Sequence, residues 1–324
     1  MFNRHTCLSS LFGVAAVVAL GTSTAVGQNY PGKLIRIVTT SAGSGAEFAS
    51  RLIAQAIAGP LGQPVIVDGR PVGVIPGQVV SQSPPDGYTL LYSSSSLWLG
   101  VLLRKSTPYD PLQDFQPITQ TLRQTGLLVV HPALPVRSVK ELVALAKARP
   151  GELNYASGST GSLPHLAAEL FQSMADVKVQ RIDYKGGGPA ITDLIAGRVQ
   201  LMFGLTSLLS PHVKAGKLRA LGVTSAQPTE LAPGMLPLAA SGLPGFQSLS
   251  LAGMFVPAKT PRAIVARLNQ EIVRALFSPE LKDRFLADGS EPVGGSPEQF
   301  EAVIKAEMET VAKLVKERGI RIDD

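Results

Sequence analysis

Cysteine is almost absent from this chain of 324 residues: there is one, Cys7. It lies in an N-terminal stretch that reads as a removable leader, so the rest offers no disulfide, no catalytic thiol and no cysteine metal ligand. Histidine is scarce too, with only His131, His165 and His212 beyond the leader. None is spaced as His-x-x-x-His or His-Glu-x-x-His, so neither a metal nor a cofactor is expected. Gly-x-Ser-x-Gly, the P-loop pattern and Gly-x-Gly-x-x-Gly are all missing, which removes the usual hydrolase and nucleotide signatures. Charged residues make up only 17%, and Lys and Arg are dispersed without interleaved aromatics, so nucleic acid is not an expected partner.

The leader has recognisable parts. A short basic start at Arg4 and His5 precedes the apolar run "LFGVAAVVALG" (11–21), which is too short to span a bilayer. "STAVGQ" (23–28) supplies small residues for cleavage after Gly27. A signal peptide over 1–27 and export to the periplasm as a soluble protein follow, since no Leu-x-x-Cys box surrounds Cys7. The leader contributes only Arg4 to the net charge of +6, and a mildly positive surface helps to gather small anions.

Beyond the leader, strand-like and helix-like segments alternate. Strands are expected at 33–40, 63–69, 86–96, 126–132, 153–157, 179–183, 199–204 and 218–225. Helices are expected at 46–62 (stopped by Gly59-Pro60), near 78–82, and at 138–151, 164–175, 189–198, 207–216, 262–277, 279–289 and 297–319. Alternation of this kind implies an α/β protein with mostly parallel sheets flanked by helices. The length suits two lobes: 123–225 inserted into a discontinuous outer lobe made of 28–122 and 226–324, with two chain crossings as the hinge. Ligands prefer the cleft between such lobes.

"NYASGSTGSLPHLAAELF" (154–171) is the most suggestive segment. Ser157, Gly158, Ser159, Thr160, Gly161 and Ser162 have little bulk, and the helix they open into has unpaired N–H groups at its mouth, a place that favours an anion. An ordinary turn is the competing reading. A hydrolase pairing Ser162 or Ser159 with His165 is disfavoured, because the elbow motif is missing and His165 lies on the same helix entrance. His131 and His212 read as structural, Trp98 as packing, and the run Ser94, Ser95, Ser96 as either binding hydroxyls or a helix cap. No catalytic constellation emerges, and the chain reads as a receptor rather than an enzyme.

"YPGKLIRIVTT", "SPPDGYTLLYSSSS", "YDPLQDFQPIT", "LNYASGSTGSLPHLAAELF", "YKGGGPAITDLIAGRVQLMF" and "PAKTPRAIVARLNQEIVRAL" together closely resemble the Bug family. These are extracytoplasmic solute-binding proteins of the tripartite tricarboxylate transporter class. The resemblance implies a two-lobed, type II periplasmic-binding-protein fold that closes on a small organic carboxylate, acts as a monomer and delivers its ligand to membrane permease subunits. A ligand sensor docking on a signalling receptor is the alternative.

The resemblance also implies two anion-binding loops, one per lobe. The first matches Ser41, Ala42, Gly43, Ser44 and Gly45, with Glu47 at the helix start; the second matches 157–162 with His165. They would cradle an anion without a buried Lys or Arg. Tyr184, Gly186, Gly204 and Thr206 are further positions around the cleft. The chain departs from the family pattern at Glu47 and at Gly204, where Asp is usual. Loss of the second Asp removes a partner for a ligand ammonium, so an amino-acid ligand is disfavoured.

Overall fold

Ile35–Thr40, IRIVTT, is almost wholly β-branched and forms β1 at the centre of a parallel trio. β2 (Val65–Arg70) and β3 (Thr89–Ser94) pair with it on either side. α1 (Gly45–Leu61) and α2 (Ile75–Ser81) make the connections. The computed structural model describes residues 30–40, 44–71, 73–158 and 160–321. The leader read in 1–27, with Cys7, and the candidate residues Ser41, Ala42, Gly43 and Ser159 lie outside the described residues.

α1 runs through Gly59-Pro60 instead of stopping there. Pro60 falls in the last turn, where it forfeits little, and Gly62 ends the helix with φ of 67°, its N–H donating to the Gly59 carbonyl.

A second parallel trio consists of β5 (Asn154–Ser157), β6 (Gln180–Asp183) and β7 (Leu201–Leu205). It carries α4 (Val139–Ala148), α5 (Leu163–Ala175), α6 (Gly187–Ile195) and α7 (Thr206–Lys214), followed by β8 (Arg219–Val223). One long strand, β4 (Phe115–Val130), joins the two trios. Its first part lies antiparallel to β9 (Leu249–Pro257) and β10 (Glu291–Gly294), and its last five residues lie antiparallel to β7 and β8. β9 in turn lies antiparallel to β3.

The sheets are therefore mixed, not mostly parallel. The chain leaves one half along β4 and returns along β9, and those crossing strands oppose each other. The remaining helices are α3 (Ser96–Leu103), α8 (Arg262–Leu276), α9 (Pro279–Ala287) and α10 (Pro297–Arg318).

The crossings are tied together by buried polar groups. Gly126 N–H donates to Thr224 Oγ1 at 2.8 Å, Thr224 N–H returns a bond to the Gly126 carbonyl, and Thr206 Oγ1 donates to the Thr125 carbonyl at 2.7 Å. Space at Gly126 is tight: a Cβ would lie 3.0 Å from Thr224 Oγ1 and 3.2 Å from the Gly204 carbonyl. The passage 226–247, expected with the outer lobe, sends Leu238, Leu243 and Phe246 into the core of the β5–β7 half, where Phe246 stacks on Phe203.

Trp98 is fully buried against Phe255 and Phe300 in the other half, a packing role as expected. α10 spans both halves: it packs on β4 and α3, and Arg318 Nε reaches Glu169 Oε2 on α5 at 2.8 Å.

Candidate ligand-binding site

The loop after β5 is held from behind. Gly161, with φ of 81°, donates its N–H to His165 Nδ1 at 3.0 Å. His165 is 3% exposed. Burial, and then the positive charge of Arg181, lower its pKa to about 4, so the ring is neutral and its Nδ1 is an acceptor. Arg181 on β6 donates to Thr160 Oγ1 at 3.2 Å and to the Gly158 carbonyl at 2.9 Å, and lies 2.6 Å from Asp183.

Arg181 is half-buried and is not among the described walls of the cavity that this loop faces. Its guanidinium, paired with Asp183, braces this loop from behind. Ser157 is buried, its hydroxyl donating to the Gly158 carbonyl. Ser162 is the N-cap of α5 yet makes no side-chain cap bond, and its buried Oγ has no partner. Ser162 and His165 therefore do not pair: the Ser162 hydroxyl has no partner, and His165 Nδ1 accepts from Gly161.

A cavity of about 690 Å³ opens in front of this loop, within the range of small-molecule sites. It brings Thr160, Gly161 and Ser162 at the mouth of α5 together with Ser94, Ser95 and Ser96 at the end of β3. The serine run does not cap α3 through a side chain. Ser94 Oγ lies 3.0 Å from Ser96 Oγ, and Ser95 Oγ donates to the Glu307 carboxylate at 3.1 Å. Trp98 Nε1 also donates to Glu307, at 2.7 Å. Burial raises the Glu307 pKa to about 7, against the lowering effect of those two donors. Gln120 on β4, 6% exposed, faces the same cavity.

The other candidate residues lie elsewhere. Ser44 caps α1, accepting from Glu47 N–H at 3.1 Å, while the Glu47 carboxylate is held by Arg51 at 2.6 Å. Ser44, Gly45 and Glu47 are not among the described walls of this cavity. Tyr184 spends its hydroxyl on Asp193 at 2.9 Å, and Gly186 is the N-cap of α6. Thr206 spends its hydroxyl on the Thr125 carbonyl. At Gly204 a Cβ would lie 2.9 Å from Leu209 Cδ1. His131 Nδ1 accepts from Ala133 N–H, and His212 lies in the last turn of α7.

Arg181, Gln120 and Glu307 were not singled out from the sequence. Arg181 and Asp183 are two apart on an edge strand, so they share a face, a signal that was available. Nothing in the polar stretch around Gln120, or in the amphipathic helix bearing Glu307, marks either residue as facing a cavity.

A sequence profile described as "Tripartite tricarboxylate transporter family receptor" matches residues 49–320. The chain belongs to this family. Its members are solute-binding proteins rather than enzymes, and the two-lobed α/β fold is theirs. The receptor is 35% identical over 315 residues to protein BugT of Bordetella pertussis, covering 96% of this chain and 94% of that one. Among solved structures, Rpa4515 of R. palustris with adipate is 32% identical, with a TM-score of 0.73 and coverage of 90% and 99% of the two chains. MatC of Rhodopseudomonas palustris with bound malate is 25% identical, with a TM-score of 0.69 and coverage of 88% and 100%.

Proposed function

We propose that this receptor captures a small organic carboxylate between its lobes in the periplasm and delivers it, as a monomer, to the permease of a tripartite tricarboxylate transporter. The carrying observation is that one cavity has Thr160, Gly161 and Ser162 on one wall and Ser94 and Ser96 on another, each at a strand end of a different half of the protein. The relatives solved with adipate and with malate support a carboxylate as the ligand class. The 1–27 leader supports export.

In this reading the ligand carboxylate lies at the mouth of α5. There Ser162 Oγ is a hydroxyl without a partner, the helix dipole favours negative charge, and Arg181 braces the loop from behind. Hydrogen bonds to a charged group contribute about 1.5–3 kcal/mol each, so contacts from both sides favour the closed form by differential affinity. With Gly204 in place of an acid, a ligand ammonium has no partner there, which favours a carboxylate without an amino group.

Change of partner along β4 supports a hinge at Gln124–Gly126. The packing of Phe246 supports moving the second boundary from 225 to about 247.

The test is a thermal-shift screen of carboxylates against their amides, sugars and amines. A carboxylate at about 100 times its dissociation constant should stabilise the protein by roughly 2.7 kcal/mol. A shift by neutral sugars or amines with none by carboxylates would overturn the reading.

A further inference from the structure

Besides its polar groups, the cavity has apolar walls contributed by three helices. Leu99 and Leu103 line it from α3, Leu166 and Leu170 from α5, and Val303 and Leu314 from α10. On each helix these residues are whole turns apart and so share one face. Along α5 the distance from Ser162 to Leu170 is about 12 Å at 1.5 Å per residue. The apolar part of α5 that lines the cavity thus begins at its mouth and continues to Leu170.

One acidic group interrupts this lining. Glu307 faces the cavity from α10 and consumes the hydroxyl of Ser95 and the indole N–H of Trp98. The charged groups on the neighbouring walls are Arg104 at the end of α3 and Arg123 on β4; α5 and the 247–251 segment contribute none to the cavity. Arg123 is held by Glu291 at 2.8 Å, and Arg104 is already engaged within the chain. Neither figures among the influences on Glu307, which are burial, Trp98 and Ser95.

From this geometry we infer that the ligand is a monocarboxylate whose apolar chain or ring lies between α3, α5 and α10, and that Glu307 sorts it from dicarboxylates. The inference rests on the carboxylate reading of the α5 mouth and adds the class of carboxylate. A second carboxylate in the cavity would be desolvated among leucines without a dedicated partner and would face the Glu307 charge. An alkyl end meets neither cost. Because the Glu307 pKa is about 7, the discrimination is strongest above that pH and relaxes below it.

Titration calorimetry at about pH 8 with acetate, hexanoate and adipate tests this, since hexanoate and adipate differ only at the far end. Hexanoate should bind at least about tenfold more tightly than adipate, a difference of about 1.4 kcal/mol. Glu307→Gln should narrow the gap between the two by at least about threefold, as should lowering the pH of the wild type to about 6, the desolvation cost of the second carboxylate remaining in both cases. Ala306→Phe, at an exposed position on the cavity wall, should weaken hexanoate about tenfold while leaving acetate unchanged. Thr310→Phe, equally exposed, serves if that variant does not fold. Adipate binding as tightly as hexanoate to the wild type, or hexanoate indifferent to a folded Phe variant, would overturn the inference while leaving the carboxylate reading intact. Failure of all three acids to bind the folded wild type would bring down both.

Discussion

The amide of Gly161 donates to Nδ1 of His165 across 3.0 Å, so the imidazole holds the binding loop from within the protein. The pKa of His165 is lowered from 6.5 to about 4. Its contribution to stability is therefore present above about pH 6.5 and is lost as the pH falls through 4, where the unfolded chain takes up a proton that the folded one resists. His165→Leu should cost about 1–3 kcal/mol at neutral pH, because the Gly161 amide loses its acceptor. It should also flatten the stability profile between these pH values. Chemical denaturation of both proteins across that range checks both expectations.

Glu307 has the opposite sign. Its pKa is raised from 4.5 to about 7, so stability is fully present below about pH 4.5 and declines as the pH rises through 7. Glu307→Gln keeps an oxygen for Ser95 and Trp98 without the charge. It should stabilise the protein at about pH 8 by roughly 1–2 kcal/mol, allowing for solvent screening, and the gap should shrink at about pH 5. Thermal unfolding at the two pH values measures it.

Glu169 joins the two halves. Its Oε1 accepts from Tyr155 Oη at 2.8 Å and from Gln172 at 3.0 Å, and its Oε2 accepts from Arg318 Nε on α10 at 2.8 Å. Glu169→Leu should cost about 2–4 kcal/mol by leaving these donors unpaired. Arg318→Ala, with its partly exposed side chain, should cost about 1 kcal/mol. A double-mutant cycle between them, read by denaturant unfolding, gives the coupling across the lobes.

Gly253 on β9 has no room for a side chain. A Cβ there would lie 2.2 Å from the Phe300 ring and 2.9 Å from the Thr119 carbonyl. Gly253→Ala should destabilise by about 1–3 kcal/mol, and Phe300→Leu in the same chain should recover part of that loss. Unfolding midpoints of the single and double variants decide this.

Much of this fold was legible because its strands β1, β3 and β7 carry short apolar runs and its long helices carry one buried stripe each. The first half of β4 was not: "QPITQTLRQT" is polar in sequence, yet Thr119, Thr121 and Thr125 are buried because this strand lies in mid-sheet between β9 and β10. β10 was too short to signal itself, and α3 was hidden behind the serine run.

For the site, the second loop and the serine run could be read because small hydroxylated residues at strand ends carry a local signal. Their joining in one cavity could not, since it depends on how α3, α5 and α10 pack. Arg181 braces its loop from a different strand, and Glu307 reaches Ser95 across more than two hundred residues of sequence. Contacts of that kind leave no trace in local spacing.

The most direct test is a crystal structure of the receptor grown with hexanoate or with whichever carboxylate gives the largest thermal shift. A carboxylate group within hydrogen-bond distance of Ser162 Oγ, at the mouth of α5 and facing the serine run, is the predicted result. A carboxylate bound outside this cavity, with the α5 mouth filled only by water, would contradict it.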